Sequence, residues 1–263
     1  MDNNEINESF DRLWETVKEL RKKCPWDSSL TTDALRTLTI EEVYELSQSI
    51  MDHNTADHKK ELGDVLLHIL MYALIAEERG DFSIKDVFDT LNEKLVFRHP
   101  HIFGDAKATT AEEVSNLWEQ VKLKEKGGNK TVLGGIPQSL PSVIKAYRIQ
   151  DKASHAGFDW HERNDVWPKV YEEFGELKAE LEKDDADKAE SEFGDLMFAV
   201  INAGRLYGIN ADTALERTNA KFISRFNHIE ARAKEQGRKL KELSLEEMEE
   251  LWNESKTLEK NSK

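Results

Sequence analysis

The chain has 263 residues, enough for two domains of ordinary size. Its 13 glycines and 5 prolines are too few for a fold of many short strands, whereas 34% charged residues are typical of long amphipathic helices. The formal net charge of −15 repels nucleic-acid phosphates and anionic lipid headgroups. These values predict an all-α protein that binds neither nucleic acid nor membranes.

The cysteine content and the distribution of apolar residues favour a cytoplasmic protein. Cys24 is the single cysteine, so an intramolecular disulfide cannot form. The chain begins MDNNEINESF, which is polar where a secretory signal would be apolar. The apolar stretch at 65–76 contains a histidine and is shorter than the roughly 20 residues that span a membrane.

Apolar spacing and helix-end signals predict the first elements of the chain. Between residues 10 and 20 the apolar side chains recur every three or four positions, which predicts one face of an amphipathic helix. Thr39 precedes two glutamates and predicts a helix start, and Gly80 predicts a helix end.

The chain then shows an internal repeat. The segments EEVYE at 41–45 and ELGD at 61–64 recur as EEFGE at 172–176 and EFGD at 192–195. The offset is 131 in both cases, from 42 to 173 and from 64 to 195. A constant offset of this kind indicates two related domains.

A glycine-rich segment separates the two copies. Residues 124–138 contain four glycines and one proline, which end helices and predict a linker. We place the first domain at 1–125, the linker at 126–136 and the second domain at 137–263.

In the second copy, the segment KDDADK predicts a turn between two helices, with Asp184 or Asp185 near the start of the next helix. Each copy then contains about four helices. Because four-helix bundles are the usual way to bury such apolar stripes, the predicted fold is two tandem four-helix bundles.

Four carboxylates of the second copy form the main candidate site: Glu173, Glu176, Glu192 and Asp195. Members of each pair are three residues apart and share a helix face, and the short turn makes the two helices antiparallel neighbours. Unpaired carboxylates gathered in one place repel one another, a penalty that a divalent cation removes. A ligand set made only of oxygens favours Mg²⁺ or Mn²⁺.

The alternative interpretation of these carboxylates is an acidic helix face exposed to solvent. Identical spacing in two copies, among apolar residues, argues against it. The equivalent residues of the first copy form a second candidate metal site: Glu42, Glu45, Glu61 and Asp64. Gly63 and Gly194 lie inside the predicted helices, where glycine costs about 1 kcal/mol relative to alanine, so we expect a close approach of backbone or ligand there.

The two carboxylate segments resemble the EExxE…ExxD signature of the all-α nucleoside triphosphate pyrophosphohydrolases, and their tandem arrangement resembles the MazG family. Further similar stretches, which extend the resemblance over nearly the whole chain, are CPWD at 24–27, RHPHIFGD at 98–105 and GFDW at 157–160. The resemblance implies Mg²⁺-dependent attack of water between the α and β phosphates, which yields a monophosphate and pyrophosphate. It also implies a homodimer.

The resemblance assigns roles to individual residues of the second copy. The four carboxylates would hold the metal; Glu173 and Glu176 would thereby serve catalysis, and Glu172 would position water. Nucleotide contacts would come from four cations and from one aromatic ring stacked on the base: Lys169, Lys188, Lys221, Arg225 and Trp252.

The first copy lacks two of these cations. At the 131-residue offset, Lys169 corresponds to Leu38 and Lys188 corresponds to Asp57. We therefore predict that the second domain is the main active site and that the first is weak, regulatory or structural.

Other functions stay open at this point. A ferritin-like di-iron bundle needs Glu-x-x-His pairs, which neither copy of the signature contains. A non-enzymatic helical scaffold with remnant carboxylates is a second alternative. Among enzymes, a pyrophosphohydrolase specific for one nucleotide or for phosphoribosyl-ATP is the third.

Overall fold

The computed structural model describes residues 2–110, 113–114, 117–118, 121 and 131–261. This part of the chain is helical and contains no strand, which confirms the predicted all-α class. Two compact units are present, Met1–Val114 and Ser115–Lys263. The division falls before the predicted boundary at residue 125. Residues 126–130 of the predicted linker lie outside the described part of the chain.

The first unit contains four long and two short helices among its described residues. They are α1 (Asn3–Lys23), α2 (Pro25–Ser29), α3 (Thr32–Met51), α4 (Thr55–Arg79), α5 (Ile84–Arg98) and α6 (Pro100–Phe103). The most extensive packing joins α3 to α4, and α1 packs on α4. The α3–α4 hairpin thus forms the centre of this unit.

The ends of α3 and α4 test the two helix-end predictions. The predicted start at Thr39 is wrong: α3 begins at Thr32, and the Thr31 side chain accepts a hydrogen bond from the backbone N–H of Ala34 at 3.2 Å. Thr39 lies inside this helix, where its hydroxyl donates to the Leu35 carbonyl. The predicted end at Gly80 is confirmed, since this glycine adopts a left-handed conformation with φ 75°.

A compact aliphatic core stabilises the first unit. Leu35 from α3 meets α1 and α4 there, and Leu70 on α4 has no exposed surface. Arg21 fastens α1 to the segment that follows it: its guanidinium donates to the Glu78 carboxylate at 2.7 and 2.8 Å and to the carbonyl oxygens of Asp27 and Leu30. Asp27 belongs to the CPWD segment, which therefore has a structural contact.

Besides the short 3₁₀ helices at 163–165 and 240–242, the second unit contains five α-helices among its described residues. They are α7 (Ser142–His155), α8 (Val166–Glu182), α9 (Ala186–Leu206), α10 (Ala211–Glu235) and α11 (Leu245–Asn261). The expected number was four. Helix α11 carries Leu251 and Trp252. The same two-residue sequence, LW, occurs at 117–118, in a stretch that the structure describes only in part.

The hairpin of α8 and α9 is the most extensive packing in this unit, as α3–α4 is in the first. Its turn confirms the prediction for residues 183–188: Asp185 is the N-cap of α9 and accepts a hydrogen bond from the backbone N–H of Lys188 at 3.2 Å. The buried core under the hairpin consists of small side chains, with Val166 and Val170 on α8 against Ala199 and Ala203 on α9.

An arginine also fastens the segment before α8. Arg205 on α9 donates to both carboxylate oxygens of Asp159, at 2.6 and 3.0 Å, and Asp159 belongs to the GFDW segment. Nearby, the Trp167 indole donates to the Tyr207 hydroxyl, which donates to the Asn164 amide oxygen. These bonds fix the first turn of α8. In the described residues, no helix combines the length and apolar character needed to cross a membrane.

Candidate metal and nucleotide site

Three carboxylates of the second unit converge between α8 and α9. Glu173 and Glu176 lie one helical turn apart on α8, and Glu192 projects from α9. Each residue places one carboxylate oxygen within 4.8 Å of the others. We call this group the second cluster. The convergence follows from the three-residue spacing on α8 and from the short turn that brings α9 alongside it.

Burial and mutual repulsion make the second cluster electrostatically unfavourable by itself. Glu173 is buried, with 6% of its surface exposed. Partial burial raises the pKa of the Glu192 carboxyl, and the negative charges of Glu176, Asp195 and Glu173 raise it further. Oxygen-only donors held this close, with charge in excess, fit a hard divalent cation such as Mg²⁺ or Mn²⁺.

Asp195 lies at the edge of this arrangement. It is close enough to raise the pKa of Glu192, but it is not one of the three residues whose oxygens lie within 4.8 Å. Its side chain is exposed on α9. The structure therefore brings together three of the four predicted ligands and leaves the fourth beside them.

Lys169 lies on α8 and bonds to two glutamates of the same helix, Glu172 and Glu173. Its ammonium lies 2.6 Å from Glu173 Oε1 and donates to Glu172 Oε1 at 3.0 Å. The hydrogen bond to Glu173, followed by that to Glu172, raises the pKa of Lys169 above its ordinary value. Glu172, the predicted water-positioning residue, is exposed and belongs to this ion pair instead of to the cluster.

The first unit contains a matching group, which we call the first cluster. Glu42 and Glu45 on α3 and Glu61 on α4 place one oxygen each within 4.8 Å of the others. Glu61 is the buried member at 6% exposure, and its Oε2 atom is buried without a hydrogen-bond partner. Burial, then the charge of Asp64 and of the other carboxylates, raises the pKa of Glu42.

Lys60 supplies a cation to the first cluster, which sequence reasoning missed. Its ammonium donates to Glu61 Oε1 at 2.8 Å and lies 3.6 Å from Asp64. At the 131-residue offset Lys60 corresponds to Ser191, so the repeat comparison gave no sign of it. The signal available was its position four residues before Asp64, a spacing at which opposite charges pair on a helix.

Comparison with known proteins agrees with this repeated geometry. The MazG nucleotide pyrophosphohydrolase domain matches residues 30–103 and 162–230, which include both hairpins. Nucleoside triphosphate pyrophosphohydrolase/pyrophosphatase MazG of Thermotoga maritima is 40% identical to this chain over 94% of the chain and 95% of that protein. The chain belongs to the MazG family.

Other relatives extend the comparison. A nucleoside triphosphate pyrophosphohydrolase of Escherichia coli K12 is 38% identical over 95% of this chain and 98% of its own length. The uncharacterized protein YabN of Bacillus subtilis is 42% identical over 96% of this chain, which spans only 53% of that longer protein. The tandem arrangement of two MazG domains in this chain is confirmed by the two matched segments.

The remaining predicted nucleotide contacts of this MazG protein lie on α9, α10 and α11. Lys188 is exposed on the first turn of α9, where its ammonium lies 2.9 Å from Asp185. Lys221 is exposed on α10, the helix that follows α9 and packs on it and on α7.

Arg225 and Trp252 form one contact group with the C-terminal helix. The Arg225 guanidinium lies 5.3 Å from the Trp252 ring centroid and donates to the Glu259 carboxylate, at 2.7 Å for its shortest bond. The Phe222 ring lies 5.1 Å from that of Trp252. Trp252 is partly buried and lines a groove of about 450 Å³. Glu259 is a partner of Arg225 that the sequence did not reveal.

The two helical glycines have no close neighbour. A Cβ atom built on Gly63 or Gly194 meets no atom within 4 Å outside its own helix. The expected approach of another backbone is therefore wrong within each unit. The space beside these glycines is open, which leaves the ligand explanation as a prediction.

Proposed function

We propose that this MazG protein hydrolyses nucleoside triphosphates to nucleoside monophosphates and pyrophosphate at the second cluster. The observation that carries the proposal is the convergence of Glu173, Glu176 and Glu192 within 4.8 Å, in a chain whose relatives are named nucleoside triphosphate pyrophosphohydrolases. An anionic triphosphate can approach such a negative site only if cations offset the charge.

Glu173, Glu176, Glu192 and the adjacent Asp195 would hold Mg²⁺, with Mn²⁺ as an alternative. When bound, the cation supplies a water of lowered pKa and neutralises charge that develops on the phosphates. The raised pKa of Glu192 agrees with this ligand set, because burial and then the neighbouring carboxylates disfavour its charge, and a bound cation would offset both.

The chain's own groups would bind and orient the substrate. Glu172 is exposed next to the buried ligand Glu173 and can accept a hydrogen bond from the attacking water. Lys169, Lys188 and Lys221 have ammonium groups that can each meet a phosphate oxygen. Hydrolysis between the α and β phosphates then needs these contacts to hold the triphosphate in line with the water.

Arg225 and Trp252 would complete the nucleotide site. The indole ring offers a face for stacking on the base, and the guanidinium beside it can bind a phosphate. Arg225 bonds to Glu259 through Nε and Nη2, so a phosphate oxygen would bind its guanidinium beside that carboxylate or would displace it.

The first cluster is proposed as a second, weaker metal site. The unpartnered Oε2 of Glu61 supports a cation there, with Glu42, Glu45 and Asp64 as neighbours. Lys60 gives this cluster one cation, but Asp57 in place of a lysine would repel a triphosphate. We therefore retain the second unit as the main active site.

Two further parts of the proposal concern assembly and location. Apolar side chains are exposed along both hairpins, among them Val43 and Leu62 in the first unit and Phe174 and Phe193 in the second, which supports a homodimer. A cytoplasmic location stays a prediction from the sequence.

The test is product identification with purified protein, Mg²⁺ and each nucleoside triphosphate in turn. The expected products are the monophosphate and pyrophosphate. The monophosphate should be measured directly, because the Thermotoga maritima relative is also named a pyrophosphatase and pyrophosphate could be consumed. A diphosphate with orthophosphate would contradict the proposal, and no product from any triphosphate or from phosphoribosyl-ATP would favour a scaffold.

A further inference from the structure

Lys169 acts as a counter-ion for the one buried carboxylate of the second cluster. Its ammonium lies 2.6 Å from Glu173 Oε1, and the Glu173 side chain is only 8% exposed. A buried carboxylate without a partner is costly, because it loses its hydration. The lysine therefore neutralises the group that the proposed function assigns to the metal.

The first unit repeats this arrangement with different residues. There the buried carboxylate is Glu61, and Lys60 on the same helix bonds to it at 2.8 Å. Lys60 and Lys169 are not equivalent in the repeat, since Lys169 corresponds to Leu38. In each unit the lysine therefore lies on the same helix as the buried carboxylate, although the two lysines occupy different positions of the repeat.

The contact of Lys169 is also easily broken. Its side chain is 43% exposed, so the ammonium can move into water at little cost. A divalent cation at Glu173 carries twice the charge and would repel the ammonium. The released ammonium keeps Glu172 as a partner at 3.0 Å, and in a working enzyme it can also meet a phosphate oxygen of the triphosphate.

We propose that Lys169 is an exchangeable counter-ion that neutralises Glu173 in the metal-free enzyme, leaves it when a divalent cation binds, and then contacts a phosphate oxygen of the substrate. The inference rests on the proposed function. Its consequence is that metal and nucleotide strengthen each other's binding. The nucleotide gives the ammonium displaced by the metal a new anionic partner, and the metal offsets the carboxylate charge that repels the nucleotide.

The first measurement is Mn²⁺ binding without nucleotide, followed by electron paramagnetic resonance. A Glu42→Gln/Glu61→Gln background confines binding to the second cluster. In that background Lys169→Gln should bind Mn²⁺ roughly three- to tenfold more tightly, since no ammonium competes. Lys178→Gln is the matched control: it makes the same charge change on the same helix, but its partner is Glu182 at 3.9 Å. Lys169→Arg keeps the charge and should bind Mn²⁺ like the parent.

The second measurement is the affinity for the α,β-methylene analogue of ATP with and without Mn²⁺. In the parent, Mn²⁺ should increase this affinity, and Lys169→Gln should reduce the increase by about threefold or more. The inference is overturned if Lys169→Gln binds Mn²⁺ no more tightly than Lys178→Gln, or if its coupling equals that of the parent. Absence of Mn²⁺ binding in the parent would overturn the proposed metal site as well, which separates the two failures.

Discussion

Each unit carries four equivalent carboxylates on an equivalent hairpin, but the two units differ in which carboxylate is buried and which has a raised pKa. In the first unit the buried carboxylate and its lysine are on α4, at Glu61 and Lys60, and the pKa of Glu42 on α3 is raised. In the second unit they are on α8, at Glu173 and Lys169, and the raised pKa belongs to Glu192 on α9.

This exchange shows that a duplicated carboxylate motif does not fix which carboxylate is buried. The units share two features: a buried carboxylate paired with a lysine, and a carboxylate on the opposite helix whose pKa is raised by burial and by its neighbours. Equivalent positions in the repeat are therefore not equivalent in charge, and a comparison by sequence offset alone misjudges the first unit.

The largest expected effect is metal removal. Both clusters consist of carboxylates that repel a polyphosphate, so EDTA should abolish turnover and Mg²⁺ should restore it. Steady-state release of the nucleoside monophosphate before and after re-addition of Mg²⁺ measures this. Full turnover by metal-free protein would remove the metal role from both units and with it the basis of the comparison.

The next largest effect is expected from replacing one carboxylate ligand, and it distinguishes the two units directly. Glu176→Gln keeps the side-chain size but removes one charged ligand, and it should reduce kcat/KM by at least about 10²-fold, equivalent to roughly 3 kcal/mol. Glu45→Gln, the equivalent change in the first unit, should have a much smaller effect. The two variants should be assayed side by side; a larger loss in Glu45→Gln would reverse the ranking of the units.

A smaller effect comes from making the second unit resemble the first at a single position. Lys188→Asp introduces the residue that the first unit has at Asp57, and it should lower kcat/KM by up to about tenfold by repelling a phosphate. Mg²⁺ binding measured by calorimetry should change little. Lys188→Gln should fall between the parent and the aspartate variant. If kcat/KM stays the same at two ionic strengths, Lys188 is not part of the site.

The smallest effect concerns pH and the first unit alone. Burial lowers the pKa of His68 on α4, whereas the second unit has Ala199 at the equivalent position. The folded state then disfavours the protonated imidazole, so stability is fully present above the ordinary pKa of 6.5 and is lost as the pH falls through that value toward the lowered one.

Hydrogen exchange of α4 peptides at pH 8 and pH 5.5 reports this unit separately. Protection of α4, after correction for intrinsic exchange rates, should decrease at the lower pH, and His68→Leu should reduce that pH dependence. Peptides of α9 serve as the internal control. An equal decrease in α9 would show that the pH effect does not come from His68.

Several features of the site were open to prediction from local sequence. The helix end at Gly80 and a helix start at Asp184 or Asp185 could be predicted because caps and helix ends depend on a few neighbouring residues, and the structure selects Asp185. The convergence of Glu173, Glu176 and Glu192 also followed, since three-residue spacing fixes a helix face and a short turn fixes the neighbouring helix. The predicted helix start at Thr39 is wrong because a threonine hydroxyl can accept or donate a hydrogen bond inside a helix as well as at its start.

The sequence by itself determined the all-α class, the duplication and the carboxylate-bearing hairpins, because helix periodicity and motif spacing are local properties of the chain. Only the tertiary structure decided which glutamate of each cluster is buried, which lysine pairs with it, and that Arg225 bonds to Glu259 on another helix. These depend on how deeply each helix packs and on contacts between residues that are distant in sequence. The energy of a charge depends on those surroundings, and no spacing rule records them.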